Sequence, residues 1–249
     1  MTALGQPPEF VDGTMKDVPR TRFDELVALA EDNDGLLTAE QARQAGITDS
    51  VLARLTQRGR LQRTARGVYR IPYFPPTRFS QYQEAVLWAK ASHGPQNVAL
   101  SHGTALVVYG ISDANPSAVH ITAPNYARLR RKRPKWVMVH HGDLKPNDVT
   151  IHEGLPVTTV ERTVFDVMTS SGRIDLARQA ISDARREGYI GAAEARRLKR
   201  RVDEYLRRLE NDDRELGGRT GFSRHGRCRD RAQVSENDRF DRSGQAQQE

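Results

Sequence analysis

The stretch Thr38-Ala39-Glu40-Gln41-Ala42-Arg43-Gln44-Ala45-Gly46-Ile47-Thr48-Asp49-Ser50-Val51-Leu52-Ala53-Arg54-Leu55-Thr56-Gln57-Arg58-Gly59 decides how the first third of the chain is read. Thr38 followed by Gln41 is a capping box, in which the hydroxyl and the glutamine side chain each satisfy an orphan N–H at a helix start. The helix it opens is short, because Gly46 suits the left-handed position that ends helices. Thr48 or Asp49 can cap the next helix. That helix carries Val51, Leu52 and Leu55 on its apolar face and stops at Gly59. Helix, glycine-containing turn and helix form the helix-turn-helix pattern.

Working outward, Phe23, Leu26, Val27 and Ala30 repeat at the helical period and predict a preceding helix that Asp34-Gly35 ends. Downstream, Leu61-Gln62-Arg63 and Val68-Tyr69-Arg70-Ile71 read as short strands around Thr64-Ala65-Arg66-Gly67. A tight hairpin behind the third helix is a wing. Ser50, Ala53 and Gln57 lie opposite the apolar stripe, with Arg54 on a flank, and are expected near base edges. Gln57 suits adenine and Arg54 suits guanine. Arg58, Arg63, Arg66 and Arg70 suit phosphates. Seven arginines and no Asp or Glu fall between Ser50 and Gln83, while the acids of this region sit before Ser50. Such segregation puts positive potential on the third helix and wing, where DNA phosphates would lie. The alternative is a winged helix that binds protein and carries a solvated arginine face.

The whole chain has 249 residues, 39 Lys+Arg against 32 Asp+Glu, and a net charge of +7. Mean hydropathy is −0.69, low for a fully packed chain. No run approaches the roughly 18 apolar residues of a membrane span. Residues 1–12 lack the basic and apolar regions of a secretory leader. The single cysteine, Cys228, excludes an intramolecular disulfide framework and a multi-cysteine zinc site. A cytoplasmic protein without a membrane partner is expected. The tail from Glu210 holds eight arginines and nine acids, so the positive excess lies before it.

An α+β fold is expected in four parts. Residues 1–19 form a flexible N-terminal arm and residues 20–75 the winged helix-turn-helix domain, with Tyr73-Phe74-Pro75-Pro76 as the boundary. Residues 76–209 form a mixed α/β domain, and residues 210–249 a disordered tail, too polar to offset ordering entropy. In the second domain, Tyr82, Ala85, Val86 and Ala89 give a helix face with Trp88 on its flank, and Ala99 to Tyr109 reads as helical up to Gly110. His102 near its start can be catalytic, but local packing or hydrogen bonding is the favoured role. Val119-His120-Ile121-Thr122 and Trp136-Val137-Met138-Val139-His140 read as strands, and Val149 to Thr158 as a hairpin turning at Glu153-Gly154. Between the two strands, Arg128, Arg130, Arg131, Lys132, Arg133 and Lys135 make a second basic patch. It reads as a nucleic-acid contact, a partner-facing patch or a solvated loop. Arg162 and Asp166 are spaced i, i+4 on a helix and can pair. Two final helices are expected, about 174–186 and 192–209. The second carries Val202, Tyr205, Leu206 and Leu209 on one face, for packing or oligomerisation.

Enzyme patterns fail on their details. His141-Gly142-Asp143-Leu144-Lys145-Pro146-Asn147 is close to a kinase catalytic loop, but the Asn is one place early and no glycine-rich loop or Asp-Phe-Gly accompanies it. No Glu-x-Lys pair follows Asp166 to complete a nuclease metal site. No catalytic residue, metal ligand or cofactor is expected.

Three runs carry a family resemblance. Gly35-Leu36-Leu37-Thr38-Ala39-Glu40-Gln41-Ala42 with Gly67-Val68-Tyr69-Arg70-Ile71-Pro72 resembles the N-terminal winged helix of the AbiEi antitoxins. Val98-Ala99-Leu100-Ser101-His102-Gly103-Thr104-Ala105-Leu106 and Gly154-Leu155-Pro156-Val157-Thr158-Thr159-Val160-Glu161-Arg162-Thr163-Val164-Phe165-Asp166 resemble the second domain of that family. The resemblance implies a type IV toxin–antitoxin system. Its antitoxin represses its own promoter by binding repeats there. Apart from the resemblance, two operator half-sites would favour two copies of the chain, a homo-oligomer on DNA, with the oligomeric state otherwise open. The resemblance also implies a nucleotidyltransferase-like toxin, which the antitoxin need not bind in a stable complex to counteract. The alternatives are a winged-helix transcriptional regulator with no toxin partner and, further off, a nucleic-acid enzyme.

Overall fold

The structure is a computed structural model that describes residues 21–91, 97–125 and 133–217. The expected arm, residues 1–19, and the tail from residue 218 lie outside the described residues.

Helix α1 (Arg22–Glu31) opens on a capping box of Thr21 and Asp24 and turns Leu26 and Ala30 inward. Helix α2 (Ala39–Gln44) opens on the expected box. The Thr38 amide donates to Gln41 Oε1 at 2.8 Å, and the Gln41 amide donates to Thr38 Oγ1 at 3.1 Å. Helix α3 (Asp49–Gln57) begins at Thr48, which has the extended N-cap backbone. The Thr48 hydroxyl pairs with the Ser50 hydroxyl at 2.9 Å instead of capping an amide. Gly46 and Gly59, after α2 and α3, take φ of +74° and +69°, so they end these helices for the reason expected.

The hairpin follows as β2 (Gln62–Ala65) and β3 (Val68–Arg70), antiparallel, with an irregularity between Arg63 and Ala65. Sequence reading missed a third strand, β1 (Leu36–Thr38), which pairs antiparallel with β3 and gives the order β1-β3-β2. All three β1 residues are buried, so no polar alternation betrays the strand. Leu26, Ala30, Leu37, Ala42, Ile47, Leu52, Leu61 and Ile71 close the core of this part.

The rest is built on a five-stranded mixed sheet, in the order β6-β5-β4-β8-β7. Its strands are β4 (Ala99–Leu100), β5 (Val119–Ala123), β6 (Val137–His141), β7 (Val149–His152) and β8 (Leu155–Thr158). Strands β4/β8 and β5/β6 pair parallel; β4/β5 and β7/β8 pair antiparallel. Ala99 and Leu100 are thus the central strand and not the start of a helix. Helix α5 (His102–Tyr109) begins after them and ends at left-handed Gly110. The β7–β8 hairpin turns at Glu153 and Gly154, both at positive φ, as its two-residue loop requires. Helix α4 (Ser80–Lys90) buries Ala85, Val86, Leu87, Trp88 and Ala89, and Trp88, expected on a flank, is in the core. Helices α6 (Val160–Ser171), α7 (Ile174–Arg186) and α8 (Ala192–Gly217) complete the order. Helix α8 corrects the expected tail, because the polar stretch from Glu210 opens as helix through Gly217.

Both sheets lie within one compact unit that ends at Tyr205. Leu36 and Val68 of the three-stranded sheet belong to the larger core with Trp88, and Ala65 packs against it. Polar contacts reinforce the junction: Thr77 Oγ1 donates to Asp34 Oδ2 at 2.5 Å, and Gln83 Nε2 donates to Asn33 Oδ1 at 2.5 Å. Gly35 has φ +75°, and a Cβ there would collide with the Phe74 side chain. Gly35→Ala is therefore expected to cost roughly 1–3 kcal/mol, from overpacking plus backbone strain. The urea midpoint checks it, and an unchanged midpoint would show that the junction can yield.

Candidate nucleic-acid interface

Leu52 fixes the roll of α3. It is fully buried, so Ser50, Ala53, Arg54 and Gln57 turn outward, all exposed. Arg58 is exposed just past the helix, Arg63 on β2 and Arg66 at the hairpin tip. Arg60 lies over the Phe23 ring at 4.4 Å, so its guanidinium is oriented by α1. Beside it, a cleft of about 550 Å³ is lined by Phe23, Val51, Arg54, Leu55, Arg58 and others. Among the described residues, no carboxylate forms an ion pair with Arg54, Arg58 or Arg63. These three cations keep a face available to an external anion.

Arg70 is the exception among the expected phosphate contacts. It is half-buried and lies 3.9 Å from Glu84 on α4. Burial raises the Glu84 carboxyl, and the Arg70 charge pulls it back. Arg70 therefore faces the junction and not the wing surface. Sequence reading placed it on the wing because its partner comes from a helix beyond the presumed boundary. Of the second basic patch, Arg128, Arg130, Arg131 and Lys132 lie outside the described residues. Arg133 and Lys135 are exposed, and Arg133 Nη1 donates to Met138 Sδ at 3.5 Å.

The other polar centre sits on the five-stranded sheet. Arg162 Nε donates to Asp166 Oδ1 at 2.8 Å, the pair expected from spacing. Arg162 Nη1 also donates to Asp148 Oδ2 at 3.1 Å and to the Asp143 carbonyl at 3.2 Å. The loop that looked kinase-like therefore serves as a dock for Arg162. Asp166 is buried, and its Oδ2 has no hydrogen-bond partner among the described residues. Burial raises the Asp166 carboxyl despite the Arg162 hydrogen bond and charge.

Nearby, three histidines from three elements converge: His102 at the head of α5, His120 on β5 and His140 on β6. His120 Nδ1 and His140 Nε2 are 2.9 Å apart, and the His102 ring stacks on His140 at 3.6 Å. His102 Nδ1 meets Ser101 Oγ at 2.9 Å, and the Thr122 hydroxyl donates to the same Oγ at 2.7 Å. Burial, with the His140 and His120 rings and the Arg162 guanidinium, pushes His102 down to about 3. Burial, with the His120 and His141 rings, pushes His140 down to about 4, and burial lowers His120. The local packing expected for His102 is present, but its convergence with the other two histidines was not foreseen. The usable signal was strand register: Thr122 faces His140 and His120 faces Met138, which places both strand histidines on one sheet face.

Comparisons with known proteins match two stretches of the chain. Residues 24–72 match a family model described as transcriptional regulator, AbiEi antitoxin. Residues 97–183 match one described as AbiEi antitoxin C-terminal domain. No curated protein matches. Among solved structures, the RV2827C protein from Mycobacterium tuberculosis overlaps at a TM-score of 0.44 and 16% identity, over 70% of this chain and 69% of that one.

Proposed function

Because the chain belongs to the AbiEi antitoxin family, a family of DNA-binding regulators and antitoxins, we propose that it represses its own promoter and counteracts a nucleotidyltransferase-like toxin. Residues 20–75 act as the DNA-binding domain and residues 76–209 as the antitoxin domain. Helix α3 enters a major groove, with Ser50, Arg54 and Gln57 at base edges. Arg58, Arg63 and Arg66 hold the flanking phosphates. Two copies on two half-sites make the operator complex. The observation that carries this reading is the outward face of α3 and β2, where Arg54, Arg58 and Arg63, none of them ion-paired among the described residues, are exposed together with Ser50 and Gln57.

Gel-shift titration against the DNA upstream of the gene, at several salt concentrations, tests it. Nanomolar to micromolar binding that weakens steeply with salt is expected, and no shift at moderate salt overturns the operator role. Co-expression with the product of the adjacent gene tests the antitoxin role: this chain should relieve growth arrest, and no relief leaves a regulator without a toxin partner.

Two substitutions separate positioning from reading. Arg63→Ala is expected to weaken binding to all sequences alike and to lower the salt slope by about 0.9, the value for one lost phosphate contact. An unchanged slope removes Arg63 from the backbone contacts. Gln57→Ala is expected to cost about 1–3 kcal/mol at one base position and little elsewhere. A loss spread evenly over operator variants contradicts base reading by Gln57.

A further inference from the structure

We propose that His102, His120 and His140 bind one transition-metal dication of the imidazole-preferring class, for which Zn(II) is the probe. One ring nitrogen from each histidine falls within 4.8 Å of the others. Ligands around a tetrahedral zinc at about 2.0–2.1 Å stand roughly 3.3 Å apart. The 2.9 Å between His120 Nδ1 and His140 Nε2 is already close to that separation. A metal between them replaces one hydrogen bond with two coordinate bonds and requires an opening of a few tenths of an ångström. His102 supplies the third nitrogen once its ring swings out of the stack on His140.

The elements that carry these residues fix the backbone from which each imidazole reaches. His120 and His140 project from adjacent parallel strands on the same face. His102 has φ +55°, a left-handed backbone rare for a non-glycine residue, at the sharp turn from the central strand into α5. That turn aims the imidazole across the sheet instead of along the helix. Ser101 Oγ sits on His102 Nδ1 and already accepts from Thr122. With Nδ1–H donating to that oxygen, Nε2 keeps its lone pair for a metal, the usual second-shell arrangement of a ligating histidine. No carboxylate belongs to the set. An all-imidazole site selects zinc, copper, nickel or cobalt over magnesium or calcium. The Arg162 guanidinium acting on His102 is matched by Asp148 and Asp166, so the nearest fixed positive charge is already compensated.

The full-length chain, purified without a polyhistidine tag and stripped with chelator, tests the site directly. Titration with Zn(II) in a calorimeter should give one ion per chain. Elemental analysis after dialysis should retain it. The melting temperature should rise by about 5–10 °C at a hundredfold excess over Kd. His120→Gln and His140→Gln should each weaken binding at least about 100-fold, and Ser101→Ala about 10–100-fold. Cys228→Ser and His152→Gln should leave it unchanged. Melting in chelator separates loss of the ligand from loss of the fold. Histidine ring NMR of the wild type needs no variant: metal should shift the signals of three rings and spare the others. Zinc that fails to bind, that survives in the His120→Gln/His140→Gln double variant, or that is lost with Cys228→Ser overturns the proposal.

Discussion

Arg162→Ala is expected to lower the unfolding free energy by about 3 kcal/mol, at the low end of the range for breaking a buried ion pair. The low end applies because the Arg162 side chain keeps 21% of its surface in solvent, against 7% for Asp166. Removing the guanidinium leaves Asp166 with neither of its carboxylate oxygens paired, because Oδ2 already has no partner. It also takes one donor from Asp148 and from the Asp143 carbonyl, so the loop before β7 is left to the Lys145 amide on Asp148 Oδ2 and the Thr159 amide on the Asp148 carbonyl. The pH dependence has a definite sign. The folded-state carboxyl of Asp166 is raised above its ordinary value, so the native chain holds this proton to higher pH than the unfolded chain does. The contribution of Asp166 to stability is therefore most favourable in acid and falls as pH rises through the raised value. Without Arg162 the carboxyl is raised further, so the variant should recover part of its loss near about pH 4.5 relative to about pH 7.5. Adding Asp166→Asn to Arg162→Ala should also recover part of it at neutral pH. Urea unfolding at the two pH values checks both points. A loss below about 1 kcal/mol, or one independent of pH, would assign the pair to the solvent-exposed class.

Trp88→Ala should have the larger effect, roughly 3–5 kcal/mol, against a total of about 5–15 kcal/mol for a typical domain. Trp88 is 1% exposed and is among the largest buried side chains. It lies in the core that holds Leu36 and Val68 of the three-stranded sheet together with Leu100, Ile121 and Val157 of the five-stranded one. Its removal leaves a cavity that neither sheet can fill alone. Calorimetry should show one transition in the wild type and one lowered transition in the variant. DNA binding should be lost at the temperature where near-ultraviolet circular dichroism is lost. Two separated transitions would show that the sheets unfold independently.

Local chemistry explains what could be read in advance. The Thr38–Gln41 box, the Val51/Leu52/Leu55 stripe, the hairpin, the Glu153-Gly154 turn and the Arg162–Asp166 pair each depend on residues a few positions apart, and the structure has each. Strands β1 and β4 could not be read, because short and fully buried strands show apolar residues without alternation. Arg70 and the histidine cluster were misjudged or missed for a shared reason. The partner of Arg70 lies on α4, and the three histidines come from α5, β5 and β6. Only sheet register and packing across the chain bring such residues together. Of the arginines expected on the third helix and wing, Arg54, Arg58, Arg63 and Arg66 are exposed, while Arg70 is half-buried beside Glu84.

The fused junction limits how this chain can be cut or recombined. A fragment ending at Pro75 would carry Leu36 and Val68, now 0% exposed, as a bare oily seam on its sheet, with Asp34 and Asn33 stripped of their donors. Such a piece invites self-association. Its gel shifts would then report clumping as much as recognition. The winged helix is thus not a portable reader to be grafted elsewhere. Anyone building a sensor or a chimaeric repressor from it must take α4 and the sheet beneath it as well.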